Sequence, residues 1–126
     1  MKAADLFSLQ GRVALVTGAS SGLGTQFAKA LADNGAAVAL VARRVDRLAD
    51  MKKAIEAAGG RTVAIEADVT DRAAMTRAFD AAEKAFGTVT ILVNNAGIAQ
   101  SSKRAVEVTA EEWRKILATN LDAVFF

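Results

Sequence analysis

Residues 17–24 read Thr17-Gly18-Ala19-Ser20-Ser21-Gly22-Leu23-Gly24, directly after the apolar run Val13–Thr17 and directly before a stretch with helical spacing. A strand, then glycines, then a helix is the setting in which a glycine pattern points to a dinucleotide phosphate site. Gly18 permits a tight turn, Gly22 lets backbone approach a pyrophosphate, and Gly24 lets the helix pack closely. Free N–H groups at the helix start attract the anion. Ser20, Ser21 and Leu23 complete the turn and join these glycines as candidate contacts. The plainer reading is a glycine-rich turn that binds nothing, and the strand–helix context weighs against it. The spacing, Gly-x-x-x-Gly-x-Gly, departs from the commoner Gly-x-Gly-x-x-Gly.

Outward from this turn the pattern alternates. Short apolar runs occur at Val13–Thr17, Ala37–Ala42, Val63–Glu66 and Ile91–Asn94. Such runs suit parallel strands buried on both faces. Between them, 3.6-residue spacing predicts helices over Leu23–Asn34, Val45–Ala58, Arg72–Phe86 and Ala110–Phe126. Gly35, Gly59 and Gly87 stand where helix C-termini belong. Asp71, or Thr70 before it, caps the third helix, and Thr109 with Glu112 forms a capping box for the last. The expectation is an α/β fold: a Rossmann-like parallel sheet of four βα units with crossover helices.

Composition narrows the chemistry. The chain has 126 residues, enough for one domain, with 52% hydrophobic and 24% charged residues, a globular balance. It contains no Pro, His, Cys or Tyr. Disulfides, thiolate or imidazole metal sites, His-based triads and phenol chemistry are thereby excluded within these residues. The net charge of +2 comes from 16 basic and 14 acidic residues spread along the chain, which indicates no nucleic-acid partner. The longest apolar stretch, Ala36–Ala42, falls far short of the ~20 residues a membrane span needs. A soluble, cytoplasmic protein is the expectation.

The glycine spacing is also where the chain becomes recognisable. It resembles the short-chain dehydrogenase/reductase family from about Gly11 to Phe126, through Thr17–Gly24, Asn94-Asn95-Ala96-Gly97, Asn120-Leu121 and, more weakly, Asp68-Val69. Members transfer a hydride between a nicotinamide and a carbonyl or secondary alcohol, such as a 3-oxoacyl, sugar or steroid-like ketone. The resemblance therefore implies an oxidoreductase acting on a small molecule and working as a homo-oligomer, with the helix matching Ala110–Phe126 contributing to the subunit interface. It also implies that Gln100–Lys103 borders the substrate cleft.

The end of the second strand bears on the cofactor. An acid there hydrogen-bonds the adenosine ribose, whereas an Arg accommodates a 2′-phosphate. Ala42 stands where the acid is expected, followed by Arg43-Arg44 and then Arg47. Surface arginines are common, but cations at a helix N-terminus oppose its dipole and need another reason. Arg43 matches the family's phosphate-reading position, with Arg44 beside it, so NADP is expected over NAD. Many NADP-preferring members carry a basic residue before the second glycine, where this chain has Ser21.

Asp68 either caps the next helix or, as the resemblance implies, accepts from the adenine amino group with Val69 beside the ring. Asn94–Gly97 reads as a turn. In the family this stretch passes the cofactor and steadies the sheet, which makes Asn95, Ala96 and Gly97 cofactor-site residues. Asn120 shares a helix face with Trp113, Ile116, Leu117, Leu121 and Val124, so a buried amide needing partners is expected. It either ties helix to loop or, by resemblance, is the catalytic asparagine that holds a water in the proton relay.

The family's proton transfer uses a Tyr-x-x-x-Lys pair, and no Tyr is present. The chain is therefore expected to be the N-terminal part of a single, longer dinucleotide-binding domain, able to bind cofactor and inactive alone. A sheet of four strands and the apolar ending Val124-Phe125-Phe126 give the same expectation. Two other classes share the opening motif. A nucleotide-type methyltransferase wants an acid after the second strand, against Ala42-Arg43. A non-catalytic NADP(H)-binding regulatory module would bind without turnover.

Overall fold

The computed structural model describes residues 1–100 and 102–126. A short helix α1 (Ala3–Leu6), absent from the sequence reading, precedes β1 (Val13–Thr17). Then follow α2 (Gly22–Asp33), β2 (Ala37–Ala42), α3 (Val45–Ala57), β3 (Arg61–Glu66), α4 (Arg72–Phe86) and β4 (Ile91–Val93). After a 3-10 turn at Ala105–Glu107 come α5 (Ala110–Leu117), a π turn over Ala118–Asp122, and the single turn α6 (Ala123–Phe125). The last helix is thus interrupted, where its sequence pattern predicts one unbroken element.

The four strands are all parallel, in the order β3-β2-β1-β4. Side chains alternate between the faces, as the pleat requires. On one face Ala14, Val16, Val38 and Leu40 pack with Ala28 and Ala32 of α2 and with Leu48 and Ile55 of α3. On the other, Leu15, Ala39 and Val41 pack with Ala78 and Ala82 of α4. Small alanines at these contacts let helices lie close to the sheet, while Leu and Val fill the centre.

Burial on both faces holds for β1 and β2 only. β3 and β4 are the edges, with each strand partly exposed; Leu92 retains 49% of its surface in solvent. Central strands are covered on all sides, whereas an edge strand is covered only where a helix overlaps it. The strand order reverses between β1 and β4, since the chain winds outward to β3 and then returns to the far side of β1. In open α/β sheets such a reversal opens a crevice at the carboxyl ends of the strands. No described helix is long and apolar enough to cross a membrane.

Candidate dinucleotide site

A cleft of about 500 Å³ opens at those carboxyl ends. Its floor and walls come from Gly18, Ser20, Ser21 and Leu23 after β1, Ala42, Arg43 and Arg44 after β2, Ala67–Thr70 after β3, and Asn95–Ile98 after β4. Lys115, Ala118 and Thr119 close it from the last helix. Most of the sequence-derived contacts therefore meet in one cavity: Gly18, Ser20, Ser21, Leu23, Arg43, Arg44, Asp68, Val69, Asn95, Ala96 and Gly97. Gly22, Gly24 and Asn120 stand outside its lining.

The glycine turn is held from below. The Thr17 hydroxyl accepts from the N–H groups of Asn95 at 3.1 Å and Ala96 at 3.0 Å, and donates to the Val93 carbonyl at 3.4 Å. Asn95 Nδ2 in turn donates to the carbonyls of Thr17 and Gly18, each at 3.1 Å. Asn95 thus lines the cleft while its amide nitrogen fixes the turn. Gly24 sits against the same assembly. A Cβ there would lie 2.1 Å from the Gly18 carbonyl oxygen and 2.6 Å from Asn95 Nδ2. Gly22 adopts φ +56°, the left-handed region, and a Cβ on it would meet nothing within 4 Å. Ser21 makes no side-chain cap to α2. The first N–H groups of α2 therefore lack the usual side-chain acceptor and suit an anion.

Arg43 and Arg44 enter from the β2 end, beside Asp68. The Thr70 hydroxyl and backbone N–H both donate to Asp68 Oδ1, at 2.7 and 2.9 Å. These bonds, with a smaller contribution from the Arg43 charge, hold the Asp68 carboxyl below its ordinary range. Asp68 does not cap α4. Asp71 does, accepting from the Ala74 N–H at 3.0 Å.

Asn120 lies in the π turn and is exposed, contrary to the buried amide expected. Both ends of its carboxamide are nevertheless paired with the backbone of Ile98. The apolar face that Asn120 shares is open: Trp113, Leu121 and Val124 keep 56%, 60% and 48% of their surface in solvent. Only Ile116 and Leu117 are half-buried. In the stretch Gln100–Lys103, Ser101 lies outside the described residues, Gln100 is exposed, and Lys103 pairs with Glu112. Lys115, Thr119 and Thr70 were missed as cleft residues. Lys115 sits on the polar flank of α5 and Thr119 in the π turn after it, where periodicity gives no direction, and Thr70 reads as a cap.

The short chain dehydrogenase family model matches residues 12–126. The chain is 45% identical over 120 residues to an NADP-dependent (R)-specific alcohol dehydrogenase of Lentilactobacillus kefiri, covering 94% of this chain and 46% of that one. It is 43% identical to the gluconate 5-dehydrogenase of Gluconobacter oxydans, covering 97% and 47%. Among solved structures, a short-chain type dehydrogenase/reductase from Mycobacterium marinum superposes with a TM-score of 0.94 at 38% identity, covering 99% and 50%. A metagenomic short-chain oxidoreductase in complex with NADP superposes with a TM-score of 0.85 at 35% identity, covering 92% and 52%. The chain spans about half the length of these relatives. Sequence match and superposition agree along nearly the whole of it: the chain belongs to the short-chain dehydrogenase/reductase family.

Proposed function

We propose that this chain is the NADP(H)-binding portion of an oxidoreductase that interconverts a small carbonyl compound and its secondary alcohol. The observation that carries the cofactor reading is the juxtaposition, in one cleft, of the uncapped start of α2 with Arg43 and Arg44, where no carboxylate follows β2. The α2 N–H groups and the left-handed Gly22 suit the pyrophosphate, and the two guanidiniums suit a 2′-phosphate. Asp68 and Val69 are assigned to the adenine side, and Asn95–Gly97 to the approach toward the nicotinamide. When bound, the nicotinamide supplies or accepts the hydride. The NADP dependence of the Lentilactobacillus relative and the NADP complex of the metagenomic one support the same choice.

Within these 126 residues there is no Tyr to handle the substrate proton. We therefore assign the isolated chain cofactor binding without turnover, and Asn120 an organising part in the catalytic end of the cleft. A homo-oligomer is proposed as well, through the open apolar face at Trp113, Leu121 and Val124.

Titration of NADPH and NADH against the chain and its Arg43→Asp variant tests the cofactor reading. Loss of a charge-assisted phosphate contact predicts that NADPH weakens by roughly tenfold or more relative to NADH. Equal weakening of both would make Arg43 a general electrostatic residue and overturn the NADP assignment. Cofactor binding without ketone reduction, in a protein that also carries the family's Tyr-x-x-x-Lys pair, would favour a regulatory module instead.

A further inference from the structure

Resting on the dinucleotide reading above, we infer that Thr70 is a positioning residue for base selection: it turns the Asp68 carboxylate so that one oxygen is spent and the other meets an amino-bearing purine. Both Thr70 donors fall on the same atom, Oδ1, at 2.7 Å from the hydroxyl and 2.9 Å from the backbone N–H. Two bonds from one residue pin Oδ1 and so restrict rotation of the carboxylate about its Cβ–Cγ bond. Among the described residues no donor is bonded to Oδ2. Asp68 and Thr70 both line the cleft, so the fixed group belongs to its wall.

The sheet order places the base there. With the strands running β3-β2-β1-β4, a dinucleotide whose pyrophosphate lies at α2, after β1, reaches the β2 end with its ribose. The next moiety outward falls at the end of β3, where Asp68 and Thr70 follow Ala67. A carboxylate kept ionised there is an acceptor only. An exocyclic amine facing Oδ2 gains a charge-assisted bond, whereas an oxo group in its place sets acceptor against acceptor. Discrimination of this kind depends on the carboxylate holding its orientation, since a freely turning group could swing aside. The Thr70 hydroxyl supplies a restraint that its backbone N–H alone does not.

The test compares NADPH with its hypoxanthine analogue, in which an oxo group replaces the adenine amine, on the unsubstituted chain and on Thr70→Val and Thr70→Ser. The unsubstituted chain should prefer NADPH by roughly tenfold or more, the worth of one hydrogen bond to a charged group. Thr70→Val should cut that ratio to within about threefold, chiefly by weakening NADPH, and Thr70→Ser should restore it. The Asp68 carboxyl, followed by carbon NMR, should titrate higher in Thr70→Val and not in Thr70→Ser. A ratio unchanged in Thr70→Val, or both ligands weakened alike, overturns the inference. If the unsubstituted chain binds both with equal affinity, the base placement is wrong while the dinucleotide reading stands. If it binds neither, the dinucleotide reading itself fails and takes this inference with it.

Discussion

The Asn120 carboxamide pairs with both backbone groups of Ile98: Nδ2 donates to its carbonyl at 2.9 Å, and Oδ1 accepts from its N–H at 2.9 Å. One side chain thereby imitates a strand partner for a residue just beyond β4. Because Ile98 lines the cleft, this bond ties the π turn to the wall formed by Asn95–Ile98. The Asn120 side chain thus meets the cleft wall through Ile98.

Replacing Asn120 with Ala should free the Ile98 amide, and its hydrogen exchange should accelerate well beyond that of the β1 amides. Asn120→Asp keeps the acceptor for the Ile98 N–H and loses the donor, so protection should fall only part of the way. Each lost bond is worth ~0.5–1.5 kcal/mol, so global stability should drop modestly in both variants. Unchanged Ile98 exchange in Asn120→Ala would mean that the loop is held by other contacts.

Much of this was legible in the sequence because it depends on local signals. β1 and β2 carry continuous apolar runs, and both occupy the residues that those runs mark. β3 begins two residues before its apolar signal, because Arg61 and Thr62 enter the ladder opposite Ala37 and Val38 through backbone bonds that ignore side-chain polarity. The break in the last helix leaves no Gly or Pro as a marker, and it coincides with a contact to Ile98 that lies 22 residues away in the chain. Lys115 and Thr119 line the cleft only because of where that segment lies relative to the strand ends. Long-range placement of this kind has no local signature.

The two glycines flanking Leu23 should respond differently to alanine. At Gly24 the added Cβ would lie 2.1 Å from the Gly18 carbonyl oxygen, so backbone must shift on one side or the other. Overpacking of this kind costs ~1–3 kcal/mol, and here it also displaces the turn that Asn95 braces. At Gly22 only the left-handed conformation is penalised, by ~1–2 kcal/mol, with open space around the new methyl. Urea denaturation should therefore rank Gly24→Ala as the less stable variant, and the reverse order would contradict the packing of α2 on the glycine turn.

Thr62 offers a gain instead. Its Oγ1 is buried and has no hydrogen-bond partner among the described residues, in a residue only 7% exposed. An unpaired buried hydroxyl costs ~1–3 kcal/mol relative to an apolar group of similar shape. Thr62→Val retains β-branching at a strand position and should raise stability by about 1 kcal/mol, read as a higher urea midpoint with unchanged slope. A loss of stability would show that the hydroxyl is satisfied in solution.

The last prediction concerns acid. Glu112 accepts from the Lys103 ammonium through one carboxylate oxygen and, through the other, from the Thr109 backbone N–H at 2.9 Å and hydroxyl at 3.1 Å. The Lys103 bond first, and the Thr109 N–H second, lower its pKa from the ordinary 4.5 to about 2. A carboxylate with a depressed folded pKa contributes stability that is fully present above the unfolded value. That contribution should fade as pH falls through 4.5 toward about 2, and the capping box of α5 should loosen across the same window. Lys103→Met should move the Glu112 midpoint upward but not all the way to 4.5, because the Thr109 bonds remain. Added salt should do part of the same, since the pair is exposed and open to screening. Carbon NMR of the Glu112 carboxyl in both proteins measures this directly. An identical midpoint in Lys103→Met would show that the loop before α5 is not tied to that helix by this pair.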